Sequence, residues 1–148
     1  MRKAIFLLFL LLFISGYSQK EINSSKRTGQ ISLDGYLEEA DWVNANWTSG
    51  FTQMKPFPGE KASKKTEVAM LFDQEAIYFG VKCYDHPDSV SRVLSLRDDF
   101  NPNLDFFGIF LDTYNDKQNG FFFGLSSRGV QVDACLLYTS PSPRDKRQ

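Results

Sequence analysis

Residues Thr66–Asp85 read TEVAMLFDQEAIYFGVKCYD. Two apolar-rich runs flank the short polar segment Asp73-Gln74-Glu75. On the first run Val68, Met70 and Phe72 fall on one face. On the second, Ile77, Phe79, Val81 and Cys83 share a face, and Tyr78, Gly80, Lys82 and Tyr84 take the other. A period of two marks a strand with one face in a core. Short polar residues tolerate turn geometry and carry no apolar load, so Asp73–Glu75 is expected to turn the chain. The stretch predicts a structural antiparallel hairpin and, with it, an all-β domain. Cys83, mid-strand on the apolar face, is expected to be a small buried hydrophobe.

Further strands are expected downstream at Asp105–Asp112 (DFFGIFLD), Gly120–Leu125 (GFFFGL) and from Val130 onward. The turns between them are Asp112–Asn119 (DTYNDKQN) and Ser126-Ser127-Arg128-Gly129. Strands at short intervals with turn signals between them point to an antiparallel β-sandwich of immunoglobulin or jelly-roll type. Phe106, Phe107, Phe110, Phe121, Phe122 and Phe123 are expected to be mostly core. Consecutive phenylalanines must point to both faces, so this sheet is expected to be covered on both sides or packed on another domain.

Upstream, Gln19–Gly29 is a polar lead-in. In Ile31–Trp42 (ISLDGYLEEADW), Ile31 and Leu33 alternate as a short strand, and Asp34-Gly35 is a turn in which glycine is free to take positive φ. Leu37–Trp42 suits a helical turn. Trp42 is expected to plug one end of the core, with Tyr78 a second structural aromatic, and Glu38 and Glu39 to form a solvated helix face. Trp47–Met54 reads as a strand, and Lys55–Lys61, with two prolines and a glycine, as a loop.

The ends read differently. Arg2 and Lys3 precede the apolar run Ala4–Ile14, and small residues follow at Gly16 and Ser18. Residues 1–18 are therefore expected to be a secretory signal peptide cut before Gln19, which places the chain in an exported compartment. The tail Cys135–Asp145 (CLLYTSPSPRD) resembles a translated transposon-end sequencing adapter. Residues 135–148 are accordingly expected to be foreign, and 31–134 the first part of a longer domain. Between Gln19 and Ala134 acids outnumber bases by five. An acidic surface argues against nucleic acid as a partner. One cysteine in that segment leaves no disulfide framework. The sequons at Asn23 and Asn46 are short patterns that arise by chance.

Catalytic signals are sparse. His86 is the single histidine, which excludes a histidine-rich zinc site in this segment. No nucleophile motif accompanies it, and no glycine-rich phosphate loop is present. Glu38 and Glu39 are adjacent and diverge on a helix, whereas glycosidase carboxylates must flank one bond. No catalytic residue is assigned.

The ordered set Ile31-x-Leu33-Asp34-Gly35-x-Leu37-x-Glu39-x-x-Trp42, Glu67-Val68, Leu71-Phe72-Asp73, Ala76-Ile77-Tyr78, Tyr84-Asp85 and Asp105 through Leu111-Asp112 resembles the family 9 carbohydrate-binding module. It is most similar to the divergent version at the start of long exported bacterial proteins, in which Gly50-Phe51-x-Gln53, Pro58-Gly59, Asp112-Thr113 and Gly129-Val130-Gln131-x-Asp133 also recur. The resemblance implies a β-sandwich that binds a polysaccharide or oligosaccharide between two tryptophans. Carbohydrate needs flat rings for its apolar faces and carboxylates or amides for its hydroxyls. In the corresponding run, Pro102–Gly108, the aspartate Asp105 is retained. Pro102 stands where the first tryptophan would be and Gly108 where a glutamate would be. The second tryptophan would fall beyond Ala134. Sugar contact is thus expected at Asp105 with Asn103 and Asp99. Related modules carry structural calcium, and the resemblance implies Asp98, Asp99, Asp105 and Asp112 as its oxygen ligands; ordinary turn-capping acids are the alternative.

Three functions are compatible with these residues. The first is an exported, non-catalytic carbohydrate-binding module of a larger polysaccharide-processing protein. The second is a structural domain that docks on the C-terminal region of its own full-length chain. The third is the front of a glycoside hydrolase whose catalysis lies further on. The signal peptide makes a direct prediction: mass spectrometry of the exported protein should find Gln19 at the mature N-terminus, and an intact Met1 start in the exported fraction would refute cleavage.

Overall fold

The computed structural model describes residues 20–99, 101 and 103–137. Residues 1–18, expected to be a signal peptide, Pro102 and the tail from Tyr138 onward lie outside the described residues. The chain is all-β, with two antiparallel-rich three-stranded sheets, consistent with a sandwich-like fold. It divides between Tyr84 and Asp85 into two compact units, each holding one sheet.

In the first unit, β1 (Ser24–Lys26), β2 (Thr66–Phe72) and β3 (Ile77–Cys83) lie in that order. The β2–β3 hairpin pairs in the expected register, from Thr66 opposite Cys83 to Phe72 opposite Ile77. Asp73 makes the turn. Its Oδ1 accepts the backbone N–H groups of Glu75 and Ala76, both at 2.8 Å. Its Oδ2 accepts the Tyr78 hydroxyl at 3.1 Å and pairs with Arg27 at 2.5 Å. Residues 24–26, read from sequence as lead-in, form a strand that runs parallel to β2, with Ser25 opposite Leu71. Three polar residues carry no period to read; Arg27 holds them, stacking on the Tyr78 ring and donating its N–H to Phe72.

The deepest face of this sheet is not the one with more apolar residues. Ala69 and Leu71 are almost fully buried, whereas Phe72, Ile77 and Cys83 are exposed. On the expected core face Val68 is buried and Met70, Phe79 and Val81 are half-buried, and Cys83 is not a buried hydrophobe. The reason is Trp42, 2% exposed, which packs with Ala69 and Leu71. Its ring lies on Gly80, opposite Ala69 in the register. A Cβ at position 80 would stand 2.8 Å from Cζ3 and 2.9 Å from Cε3 of that ring. Ile31, Leu37, Ala45, Trp47 and Tyr78 close around it.

The helix that delivers Trp42 is shorter than expected: α1 is Ala40–Val43. Glu39, expected on a solvated face, is its N-cap residue and its Oε1 accepts the Ser32 N–H at 2.9 Å. Asp41 accepts the N–H groups of Thr28 and Gly29 and the Thr28 hydroxyl, which ties the segment after β1 to the helix. Ile31 and Leu33 do not form a strand; Leu33 is exposed. Asp34-Gly35 does turn, with Oδ1 accepting the Tyr36 N–H and Gly35 at φ +88°. The predicted Trp47–Met54 strand reduces to two bridges, Thr48 with Val68 and Thr52 with Lys61.

In the second unit, β4 (Phe106–Leu111), β5 (Asn119–Ser126) and β6 (Gln131–Leu137) form an antiparallel meander as expected, with β6 continuing three residues past Ala134. Gly108 and Gly124 face each other across the ladder, and the Phe122 ring covers both. Phe110 lies 4.6 Å from that ring and Phe106 meets it edge-on at 6.4 Å. Of the six phenylalanines expected to be mostly core, only Phe122 is buried. Phe106, Phe110 and Phe123 are exposed, Phe110 by 69%. Adjacent residues on β5 point to opposite faces, so one ring in the sequence Phe121-Phe122-Phe123 can be buried on the glycine floor while its neighbours turn away.

The Trp42–Gly80 contact yields a stability prediction. Trp42→Ala should lower the free energy of unfolding by roughly 3–5 kcal/mol, a large share of the ~5–15 kcal/mol of an ordinary domain. Trp42→Phe should cost less, because the indole N–H is buried without a hydrogen-bond partner among the described residues. Gly80→Val should be as damaging as Trp42→Ala, since its first carbon already invades the ring. Urea unfolding followed by circular dichroism checks all three; a wild-type midpoint for Gly80→Val would contradict the packing.

Candidate functional site

Two of the three residues assigned to sugar contact, Asn103 and Asp105, come together as a loop junction at the start of β4, and the third, Asp99, does not join them. Asp105 Oδ2 accepts the Ser91 N–H at 2.7 Å, and its carbonyl accepts the Ser127 N–H at 2.9 Å. The Asn103 carbonyl accepts the Ser91 hydroxyl at 2.6 Å, and its N–H donates to Asn101 Oδ1 at 2.9 Å. The Ser127 hydroxyl donates to the Ser91 carbonyl. Leu104, buried between Asn103 and Asp105, anchors the junction. Asp105 thus holds three chain segments together, and Ser91 and Ser127 are partners that no sequence pattern marked.

Asp98 and Asp99 sit elsewhere in the same unit. Asp98, at φ +62°, accepts the Asp133 N–H at 3.0 Å through Oδ1, and its own N–H donates to the Gln131 carbonyl. Arg97 donates to Gln131 Oε1 at 2.7 Å, pairs with Asp133, and lies 3.6 Å from Asp98 Oδ2. This segment seals the start of β6. Asp99 closes a local turn onto Leu96. Asp112 stands at the far end of β4 from Asp105, about 20 Å away at the rise of an extended strand. It accepts the N–H groups of Asp116 and Lys117. The four carboxylates named as calcium ligands do not converge, and among the described residues no three acidic, histidine or cysteine groups do. The carboxylates of Asp98, Asp105 and Asp112 each accept backbone N–H groups. His86 likewise caps the short 3₁₀ turn Pro87–Ser89.

A different constellation lies on the Trp42 face of the first sheet. Lys82 and Tyr84 project there from β3 and its continuation, and Lys65 and Glu67 from β2 and the residue before it. Tyr84, 46% exposed, donates its hydroxyl to Glu67 Oε2 at 2.7 Å. Lys65 pairs with Glu67 Oε1 at 2.6 Å and lies over the Tyr84 ring at 5.0 Å. Lys82 lies 4.0 Å from the Trp47 ring centroid, and Trp47 donates its indole N–H to the Trp42 carbonyl at 3.0 Å. Two aromatic rings, one carboxylate and two ammonium groups thus share one patch. The signal was in the sequence: Lys65-x-Glu67 and Lys82-x-Tyr84 place polar residues on one face at a period of two, opposite one another across the hairpin.

The electrostatics hold this patch charged. The hydrogen bond from Lys65, then that from Tyr84, keeps the Glu67 carboxyl below the usual range. Glu67 in turn raises the Lys65 ammonium and, with burial, the Tyr84 phenol. Comparison with protein-family models, with curated proteins and with solved structures returns no match for this chain.

A pH prediction follows from the carboxylates. The N–H groups of Glu75 and Ala76 draw the Asp73 carboxyl down from 3.8 to about 2. A depressed folded value stabilises the native state above the unfolded value, and that contribution is lost as pH falls through the folded one. The melting temperature should hold near neutrality and fall between about pH 4 and about pH 2. Asp73→Asn should lower it at neutral pH and flatten that acid limb; an unchanged acid limb in Asp73→Asn would contradict the assignment.

Proposed function

We propose that this chain is a non-catalytic carbohydrate-binding module that takes a neutral or acidic polysaccharide or oligosaccharide. The observation that carries this reading is the patch of Tyr84, Glu67, Lys65, Lys82 and Trp47. A pyranose ring offers an apolar face to an exposed aromatic ring and hydroxyls to charged partners at its edge. The Tyr84 hydroxyl bond to Glu67 fixes the ring in place, so little side-chain entropy is lost on binding. The ordered resemblance to the family 9 module and the secretory leader support the same reading. In this proposal the Asn103–Asp105 junction shapes its unit, and the aromatic patch makes the contact.

A second reading is favoured by another observation. Phe106 and Phe110 are exposed on one face of the β4–β6 sheet, and Phe123 and Leu125 on the other. Exposed apolar surface on both faces suits a domain that packs on the rest of its own chain.

Calorimetric titration with a panel of plant and bacterial glycans tests the first reading. Binding should appear with at least one glycan, weaken about tenfold or more in Tyr84→Ala and Glu67→Gln, and survive Asp105→Asn in any variant that remains folded. Loss through Asp105→Asn with Tyr84→Ala unaffected would move the site to the loop junction. No heat with any glycan would overturn the reading in favour of the second.

A further inference from the structure

We infer that the outer edge of β3 is an association surface for a second copy of this chain. In an antiparallel ladder, residues alternate between pairs that exchange both backbone hydrogen bonds and pairs whose N–H and C=O groups point away. Two bonds set the phase here: Asp73 N–H to the Ala76 carbonyl and Tyr84 N–H to the Lys65 carbonyl. Tyr78, Gly80 and Lys82 therefore bond to β2, and Ile77, Phe79 and Val81 aim their backbone groups outward. On the other side of the sheet the corresponding groups of β2 are engaged: Val68 exchanges bonds with Thr48, and Phe72 accepts from Arg27. Beyond β3 no strand follows, and no hydrogen bond reaches the outward groups of Ile77, Phe79 or Val81 among the described residues.

Edges of this kind are ordinarily blunted by short length, proline, a bulge or an inward-pointing charge. β1 is blunted, being three residues long. β3 is seven residues long, contains no proline and pairs without a bulge. Its single charge, Lys82, is turned onto the Trp47 ring and does not guard the edge.

The edge is complementary to itself. An antiparallel second copy with Gly80 on the two-fold axis sets Phe79 against Val81 and Val81 against Phe79. Both residues are outward-facing in both copies, so the register that places apolar side chains together also pairs the open backbone groups. Tyr78 falls opposite Lys82, a ring against an ammonium, and the two glycines meet at the axis without crowding. No like charges are brought face to face. The contact is isologous and uses one edge per copy, so it closes as a dimer with a continuous six-stranded sheet.

Sedimentation velocity of the full chain across a concentration series is the test, with hydrogen exchange at the Phe79 and Val81 amides as a second readout. The wild type should sediment as a concentration-dependent dimer with those two amides protected. Val81→Lys places a charge on the edge, and Val81→Pro removes only an outward N–H. Both should shift the chain to monomer, and Val81→Lys should expose the Phe79 amide to exchange. Phe110→Lys, on the other sheet, should leave the dimer intact. A wild type that is monomeric at every concentration overturns the proposal. So does a dimer that survives Val81→Lys, or one abolished by Phe110→Lys, which would assign association to the β4–β6 face.

Discussion

The first unit depends on an absence of side chain. Gly80 leaves bare backbone in the middle of β3, and the Trp42 ring occupies the space where a Cβ would be. The four residues of α1 make too short a helix to be stable on their own; they are held because the ring they carry is buried. Asp41, next to it, fixes the segment after β1, and Arg27 in that segment reaches the hairpin turn at Asp73. The second unit uses the same device with other residues, Phe122 over Gly108 and Gly124. In both, an aromatic ring fills the space that a side chain on glycine would take.

Turns and loop junctions account for a third of the acidic residues. Asp34, Asp41, Asp73, Asp105, Asp112 and Asp116 each accept backbone N–H groups that no strand or helix would satisfy. A charged acceptor makes such bonds stronger than a neutral one would. Carboxylates spent in this way are spread along the chain rather than gathered, which is why a cluster in sequence did not become a cluster in space. Glu67 is different: its partners are the side chains of Lys65 and Tyr84, on an open sheet face.

The strands were legible because their periodicity is strong: β2 and β3, then β4, β5 and the start of β6. The faces were harder. Val68, Met70 and Phe72 outnumber Ala69 and Leu71 in apolar bulk, yet the deepest burial falls on Ala69 and Leu71, because Trp42 from distant sequence packs on them. Alternation tells which residues share a face and not which face is covered. β1 was illegible for a related reason. Its strand character comes from pairing with β2 and from Arg27, neither of which leaves a mark in Ser24-Ser25-Lys26 itself. The polar patch at Tyr84 is legible in the hairpin register, which sets Glu67 opposite Lys82 and Lys65 opposite Tyr84. The junction of Ser91, Asn103 and Asp105 is not, since it joins loops whose approach no local pattern encodes.

The parallel pairing of β1 with β2 also sets an order of events. The hairpin needs only the turn at Asp73 to bring its strands together, so its closure is local and fast. Ser24 meets Met70 only after the whole intervening chain has been drawn in, a loop whose entropy must be met before any bond rewards it. The Arg27–Asp73 pair lies at the end of that path, and its acidic half is the very residue that shaped the hairpin. The turn that starts the fold is therefore also the latch on which the N-terminal strand closes last.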